Sequence, residues 1–141
     1  MVNMEDKRTK LNELNEHFSK DRFVYESLGA RITAVDEGYA KCEMNIRPEH
    51  CNAIGIPMGG VLFTLADFAF AVAANQDDKT VVTQAAQITF LTPAQGGNLV
   101  AEARLIRDGS QTSFYKVLLT DAQGTEVAFA TANGYRIRDE H

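Results

Sequence analysis

Residues 61–75 read VLFTLADFAFAVAAN, and twelve of these fifteen side chains are apolar. On a helical wheel they surround the axis instead of forming one stripe. A helix that is apolar on all sides in a globular protein is a central, buried one. At a rise of 1.5 Å per residue it would be roughly 22 Å long, short of the ~30 Å hydrocarbon core of a bilayer. No basic cluster flanks it. The stretch therefore predicts one buried helix at about 61–76, around which the rest of the chain is arranged. Charge disappears over the same stretch. Charged residues make up 23% of the chain, so a 26-residue window should hold about six. Cys51 to Gln76 holds one, Asp67.

Upstream, residues 4–19 form a polar helical pattern with a thin apolar stripe at Leu11, Leu14 and Phe18. His17 falls on its solvated side. A short helical turn over Asp21 to Leu28 is stopped by Gly29. From Arg31 the period becomes two, with Asp36-Glu37-Gly38 as a turn. Ala40, Cys42, Met44 and Ile46 then face one way, and Tyr39, Lys41, Glu43 and Asn45 the other. Cys42 thus reads as a small buried hydrophobe.

Downstream come four strand patterns: Val81–Leu91, Leu99–Arg107, Thr112–Asp121 and Thr125–Arg138. In the second, Leu99, Ala101, Ala103 and Leu105 are expected to face inward. Asp108-Gly109-Ser110 and Ala122-Gln123-Gly124 supply the turns. An antiparallel sheet packed on one apolar helix is an α+β arrangement with a single two-layer core. No composition shift or repeat divides the chain, so residues 1–141 are taken as one domain, with 1–28 as its N-terminal helical segment. A curled sheet around one helix leaves an edge strand that asks for pairing, and a dimer that continues the sheet across two chains is expected.

Composition excludes several functions. With 14 basic against 19 acidic residues and a net charge of −5, neither nucleic acid nor an anionic membrane is favoured as a partner. Two cysteines make no disulfide framework, and the polar opening MVNMEDKRTKLNELNEH is no secretory signal. A cytoplasmic location is expected. His50 adjoins Cys51, but neither has a partner at a metal-ligand or dyad spacing, so no metal site is assigned.

The chemistry then centres on Asp67. A carboxylate inside an apolar helix costs several kcal/mol in desolvation unless hydrogen bonds or solvent compensate it. Asp67 is too far into the helix to be an N-cap. It either points to solvent or lines a cleft, where partial burial raises its basicity. Before the helix, residues 52–60 read NAIGIPMGG. Glycines at a helix N-terminus let a ligand approach backbone N–H groups that lack internal partners and sit at the positive end of the dipole. Such groups can hold a developing oxyanion.

Taken together, Asn52, Gly59-Gly60, Leu65-Ala66-Asp67, Asn75 and the run Ile88-Thr89-Phe90-Leu91-Thr92-Pro93-Ala94 resemble the PaaI-like, phenylacetate-type family of hotdog-fold thioesterases. The resemblance spans about residues 24–138. It implies the hotdog fold, a curled antiparallel sheet wrapped around one central helix, and hydrolysis of acyl-CoA thioesters with aromatic or medium-chain acyl groups. By that resemblance Asp67 is the carboxylate that attacks the thioester or activates water, and both roles stay open. The Gly59 N–H polarises the carbonyl, Asn52 helps to hold the carbonyl or the water, and Thr83 positions the water.

The resemblance further implies contacts to substrate or CoA from Met58, Gly60, Phe90, Thr92 and Pro93, and from the hairpin Arg107, Gly109, Ser110, Gln111 and Thr112. It also implies a site composite between subunits of a homodimer, itself expected to pair into a homotetramer. No cofactor is implied beyond the coenzyme A of substrate and product. The family motif reads His-Gly-Gly where this chain has Met58-Gly59-Gly60, and Met neither donates nor accepts strongly. Two other functions fit the same fold: a CoA- or nucleotide-binding protein with little turnover, and an acyl-thioester dehydratase or hydratase. The second needs a histidine at the helix mouth. Of His17, His50 and His141, none precedes the helix suitably.

Overall fold

The computed structural model describes residues 3–76 and 80–137. Helix α1 (Met4–Phe18) is followed by a π-helical turn (Phe23–Leu28) and strands β1 (Arg31–Asp36) and β2 (Tyr39–Asn45). After a short 3-10 turn comes α2 (Gly59–Ala74), and then β3 (Thr80–Phe90), β4 (Asn98–Asp108), β5 (Thr112–Asp121) and β6 (Glu126–Ile137). All pairings are antiparallel, in the order β1-β2-β4-β5-β6-β3. The fold is therefore the expected one: a six-stranded antiparallel sheet curled around α2, which touches every strand.

Most of α2 is buried. Leu65, Ala69, Phe70 and Val72 are essentially inaccessible, and they pack with Cys42, Ala101, Leu119 and Val127 from the sheet. Phe68 meets Phe18 and Tyr25 edge-on, and Phe70 meets Tyr115 in the same way. These rings fill the core. His17 is exposed and Cys42 buried, as expected. Burial pushes the Cys42 thiol well above its ordinary range. No helix among the described residues is long and apolar enough to cross a membrane.

Some sequence expectations shift in detail. The glycine pair is not a lead-in to α2; it forms its first turn, with Met58 as N-cap. The turn after α1 bonds in the π pattern, and Gly29 ends it at φ 69°, a left-handed conformation that glycine adopts without steric cost. Leu105 keeps the expected inward register opposite the buried Tyr115, but just before a bulge in the β4–β5 pairing it is partly exposed and packs over Gly38. The last strand ends at Ile137, and Arg138 lies outside the described residues.

The two sheet edges differ. Along β1, Asn15 of α1 takes the Ile32 N–H on its side-chain oxygen (3.0 Å) and donates to the Ile32 carbonyl (2.9 Å). That side chain occupies the edge as a neighbouring strand would. At the opposite edge β3 has no neighbour beyond β6 among the described residues, and almost every residue from Val82 to Phe90 is exposed.

Candidate active site

Helix α2 runs antiparallel along β3 and is tied to it at three levels. Near its C-terminus the Asn75 amide donates to the Val81 carbonyl (3.0 Å) and accepts the Val81 N–H (2.7 Å). In the middle, the Thr83 hydroxyl donates to Asp67 Oδ1 at 2.8 Å. At the N-terminus, the Phe90 ring lies over Gly59 so closely that a Cβ there would come within 2.9 Å of Cζ. Gly59 is thus a glycine for space.

A bulge makes this alignment possible. Thr83 pairs with Gly134 and Ala85 with Asn133, which leaves Gln84 as an extra residue. Before it, the odd residues Val81 and Thr83 face α2. After it, the even residues Ala86, Ile88 and Phe90 do, opposite the inward Ala132, Ala130 and Ala128. One inserted residue re-aims the strand so that Thr83 and Phe90 both address the helix.

Asp67 is exposed in the single chain, on the one strip of α2 that the sheet leaves open, together with Gly60. Of the two readings that the sequence leaves open for Asp67, solvent or cleft, the single chain shows the exposed one. The N–H groups of Gly59 and Gly60 find no acceptor among the described residues, and Met58 supplies no side-chain cap. A Cβ on Gly60 would meet nothing within 4 Å. The first turn therefore presents two unpaired N–H donors at the positive end of a 16-residue helix.

Asn52 folds the loop that precedes this turn. Its side-chain oxygen accepts the N–H groups of Ile54 (3.1 Å) and Ile56 (3.0 Å), and Gly55 takes φ 81° between them. The acceptor end of Asn52 is occupied, and its amide NH2 has no acceptor among the described residues. His50, to which the sequence assigned no role, anchors the same loop from behind. Its carbonyl accepts the Met58 N–H (2.9 Å), and its Nδ1 accepts the Arg47 N–H (2.9 Å). The other ring nitrogen, Nε2, lies 2.8 Å from the Ser27 carbonyl, which ties the glycine loop to the π turn.

The predicted residues fall into three groups. Asn52, Met58, Gly59, Gly60, Phe90, Thr92 and Pro93 gather at the N-terminus of α2, where Gly59, Phe90, Thr92 and Pro93 share a groove of about 360 Å³. Asp67 and Thr83 sit about two turns further along. Arg107, Gly109 and Thr112 line a separate groove of about 380 Å³ with Phe114 and Asn133, on the sheet face turned away from α2. Beside it, the Ser110 and Gln111 carbonyls accept from the Arg136 guanidinium (3.1 Å) and backbone N–H (2.8 Å). The hairpin does not reach Asp67 within one chain.

This geometry has known counterparts. A family model described as the thioesterase superfamily matches residues 55–128. The chain is 35% identical over 113 residues to the acyl-coenzyme A thioesterase PaaI of Escherichia coli strain K12, covering 79% of this chain and 81% of that protein. It is 32% identical over 102 residues to acyl-coenzyme A thioesterase 13 of Homo sapiens, covering 69% and 73%. Among solved structures, the E. coli PaaI protein of the phenylacetic acid degradation operon matches with a TM-score of 0.84 and 31% identity, over 92% of this chain and 95% of that one. The chain belongs to the thioesterase superfamily, and within it is a PaaI-like hotdog thioesterase.

Proposed function

We propose that this protein hydrolyses acyl-CoA thioesters with apolar acyl groups, in a site built by two copies of the chain. The observation that carries this reading is the pairing of two open helix-terminal N–H donors with one carboxylate held by a threonine. Thioester hydrolysis develops negative charge on the carbonyl oxygen, and N–H groups fixed at a helix N-terminus stabilise it without reorganising. Asp67 attacks the carbonyl carbon or takes a proton from attacking water, with Thr83 orienting the carboxylate. Asn52 donates from its amide NH2.

The spacing supports a composite site. Gly60 and Asp67 are seven residues apart, about 10 Å along the helix axis. A carboxylate that attacks must lie within about 3–3.5 Å of the carbon. Asp67 is out of direct reach of a carbonyl held on its own chain's glycine pair. A second copy, paired through the open β3 edge and covering the exposed strip of α2, brings its Asp67 to this pair and desolvates it. The outer sheet face supports further pairing into a tetramer, because Val82, Ile106, Phe114, Tyr135 and Ile137 are exposed there. CoA then lies between the Phe90–Pro93 groove and the hairpin with Arg107, which supplies a cation for an anionic cofactor.

The test is steady-state release of CoA thiol from a panel of acyl-CoAs. Turnover by the wild type that is lost in Asp67→Asn supports the reading. If both proteins show only the background rate on every thioester, the protein is a binder and the catalytic assignment is wrong.

A further inference from the structure

A cavity of about 360 Å³ lies between α1, the C-terminal end of α2 and the sheet. Ala74 on its wall is fourteen residues from Gly60, about 21 Å along the helix axis. The cavity is therefore a separate place from the glycine pair. Its volume is at the small end of ligand pockets, which run from about 300 to 1,000 Å³. Buried side-chain polar atoms are nearly always hydrogen-bonded. Among the described residues three are not. One, Arg47 Nε, lies 3.6 Å from Glu49. The other two, Gln76 Oε1 and Arg136 Nε, belong to residues that line this one cavity. Ser113 and Tyr115, 7% and 5% exposed, line it too, and neither hydroxyl bonds a described residue. We propose that this cavity binds a small zwitterion, a free α-amino acid with an apolar side chain.

The walls carry opposite polarity. One is formed by Gln76 and the β1–β2 turn. The Gln76 amide nitrogen donates to the Asp36 (2.7 Å) and Tyr39 (3.0 Å) carbonyls, which leaves its oxygen beside a turn that bears the Asp36 and Glu37 carboxylates. This wall accepts. The other is formed by β5 and β6, and its Ser113, Tyr115 and Arg136 can all donate. The Arg136 guanidinium engages the Ser110 carbonyl through Nη1 (3.1 Å) and sets Nη2 3.6 Å from Asp108, so Nε is the donor left over. Burial, with Asp108 adding to it and Arg136 opposing, pushes the Tyr115 phenol up, and it keeps its proton. Val35, Ala73, Ala74, Val81 and Leu105 supply the apolar lining. A simple anion would meet the carboxylates of Asp36 and Glu37. A simple cation would meet Arg136 and, at the exposed rim beside Asp6, Lys7 and Lys10 of α1. An α-amino acid offers its ammonium to the accepting wall, its carboxylate to the donating one and its side chain to the apolar lining. It pairs both unpartnered buried atoms at once, which removes the cost of leaving them unmade.

The experiment titrates the full chain with L-valine, L-leucine and L-phenylalanine by calorimetry. For the tightest binder it adds the amide, which lacks the carboxylate, and the deaminated acid, which lacks the ammonium. At least one amino acid should bind at millimolar concentration or below, and each analogue about tenfold or more weakly. Tyr115→Phe and Ser113→Ala each remove a hydroxyl that no bond within the fold uses. Each should weaken binding about tenfold, the worth of a hydrogen bond to a charged group, with the thermal midpoint unchanged or slightly higher. No binding of any of the three amino acids overturns the assignment and leaves water as the occupant. Equal binding of the amino acid and either analogue overturns it in favour of a simple ion site. Wild-type affinity in both variants overturns it by placing the ligand elsewhere.

Discussion

The Thr83 hydroxyl donates to Asp67 Oδ1 at 2.8 Å, across sixteen residues of sequence, from the free edge strand to the exposed strip of the central helix. This bond holds the carboxylate in one orientation and leaves its second oxygen open. Asp67→Asn should lower kcat by about 10² to 10⁴, the range of a lost general base. Thr83→Val keeps the shape but removes the donor. It should lower kcat by about tenfold, the worth of one hydrogen bond, with little change in KM. A Thr83→Val enzyme with wild-type kcat would show that the bond is structural only.

A site shared between copies can be rebuilt from two inactive ones. Asp67→Asn lacks the carboxylate, and Gly60→Val covers the N–H donors. Neither alone should turn over acyl-CoA. Unfolded together and refolded in equal amounts, they should recover about a quarter of wild-type activity, since half of the dimers are mixed and each mixed dimer has one intact site. Recovery no greater than the sum of the parents would place the whole site within one chain.

The two glycines should respond differently to a methyl group. At Gly59 a Cβ comes within 2.9 Å of the Phe90 ring, so Gly59→Ala should push the ring aside and displace the first turn. Adding Phe90→Leu should restore part of what is lost. At Gly60 there is open space and φ is not positive, so Gly60→Ala should leave the thermal midpoint unchanged or slightly higher while kcat/KM falls. Thermal melts run beside kinetics separate the two cases.

Gly134 sits behind Thr83, where a Cβ would come within 2.4 Å of Val81 Cγ1 and 2.8 Å of Phe70 Cζ. Gly134→Ala overpacks the core at the bulge and should cost about 1–3 kcal/mol. Urea unfolding measures this, and a midpoint equal to wild type would mean that the bulge yields more easily than its packing suggests.

Acid stability should depend on Asp121. Its buried carboxylate accepts the N–H groups of Gln95 (3.0 Å), Gln123 (3.0 Å) and Thr125 (3.1 Å), which tie the β5–β6 turn to the loop before β4. These bonds, with that from Gln95 foremost, hold the carboxyl below its ordinary value of 3.8. The unfolded chain binds a proton more readily than the folded one there. The contribution is complete above that value and is lost as pH falls through it towards the lower folded value. Asp121→Asn should lower the midpoint at pH 7 and flatten its decline below pH 4. An unchanged decline would shift the effect to other carboxylates.

Much of the molecule follows from local pattern. The apolar run at 61–75 is largely buried because apolar side chains surround that helix, and Asp67 stands out because it breaks the run. Strand positions were readable wherever side chains alternate, as at Ala40, Cys42 and Met44. The irregular places are less legible. Leu105 faces inward opposite the buried Tyr115, as alternation predicts, but the bulge that follows it leaves it partly exposed. The glycine pair was placed before the helix, although its N–H groups form the first turn. The place of Arg107 and the hairpin, on the sheet face turned away from α2, is set by the pairing order and not by any local pattern.

The sequence by itself determined the layers, the buried helix and the identity of the lone carboxylate, because burial and period are properties of neighbouring residues. The tertiary structure decided that Thr83 and Phe90 both face that helix, that Asn15 closes one sheet edge while β3 stays open, and that Gln76 and Arg136 line one cavity. Each of these depends on a bulge, a pairing order or a contact between distant segments. No local periodicity records such contacts, because their register is settled only when the sheet closes around the helix.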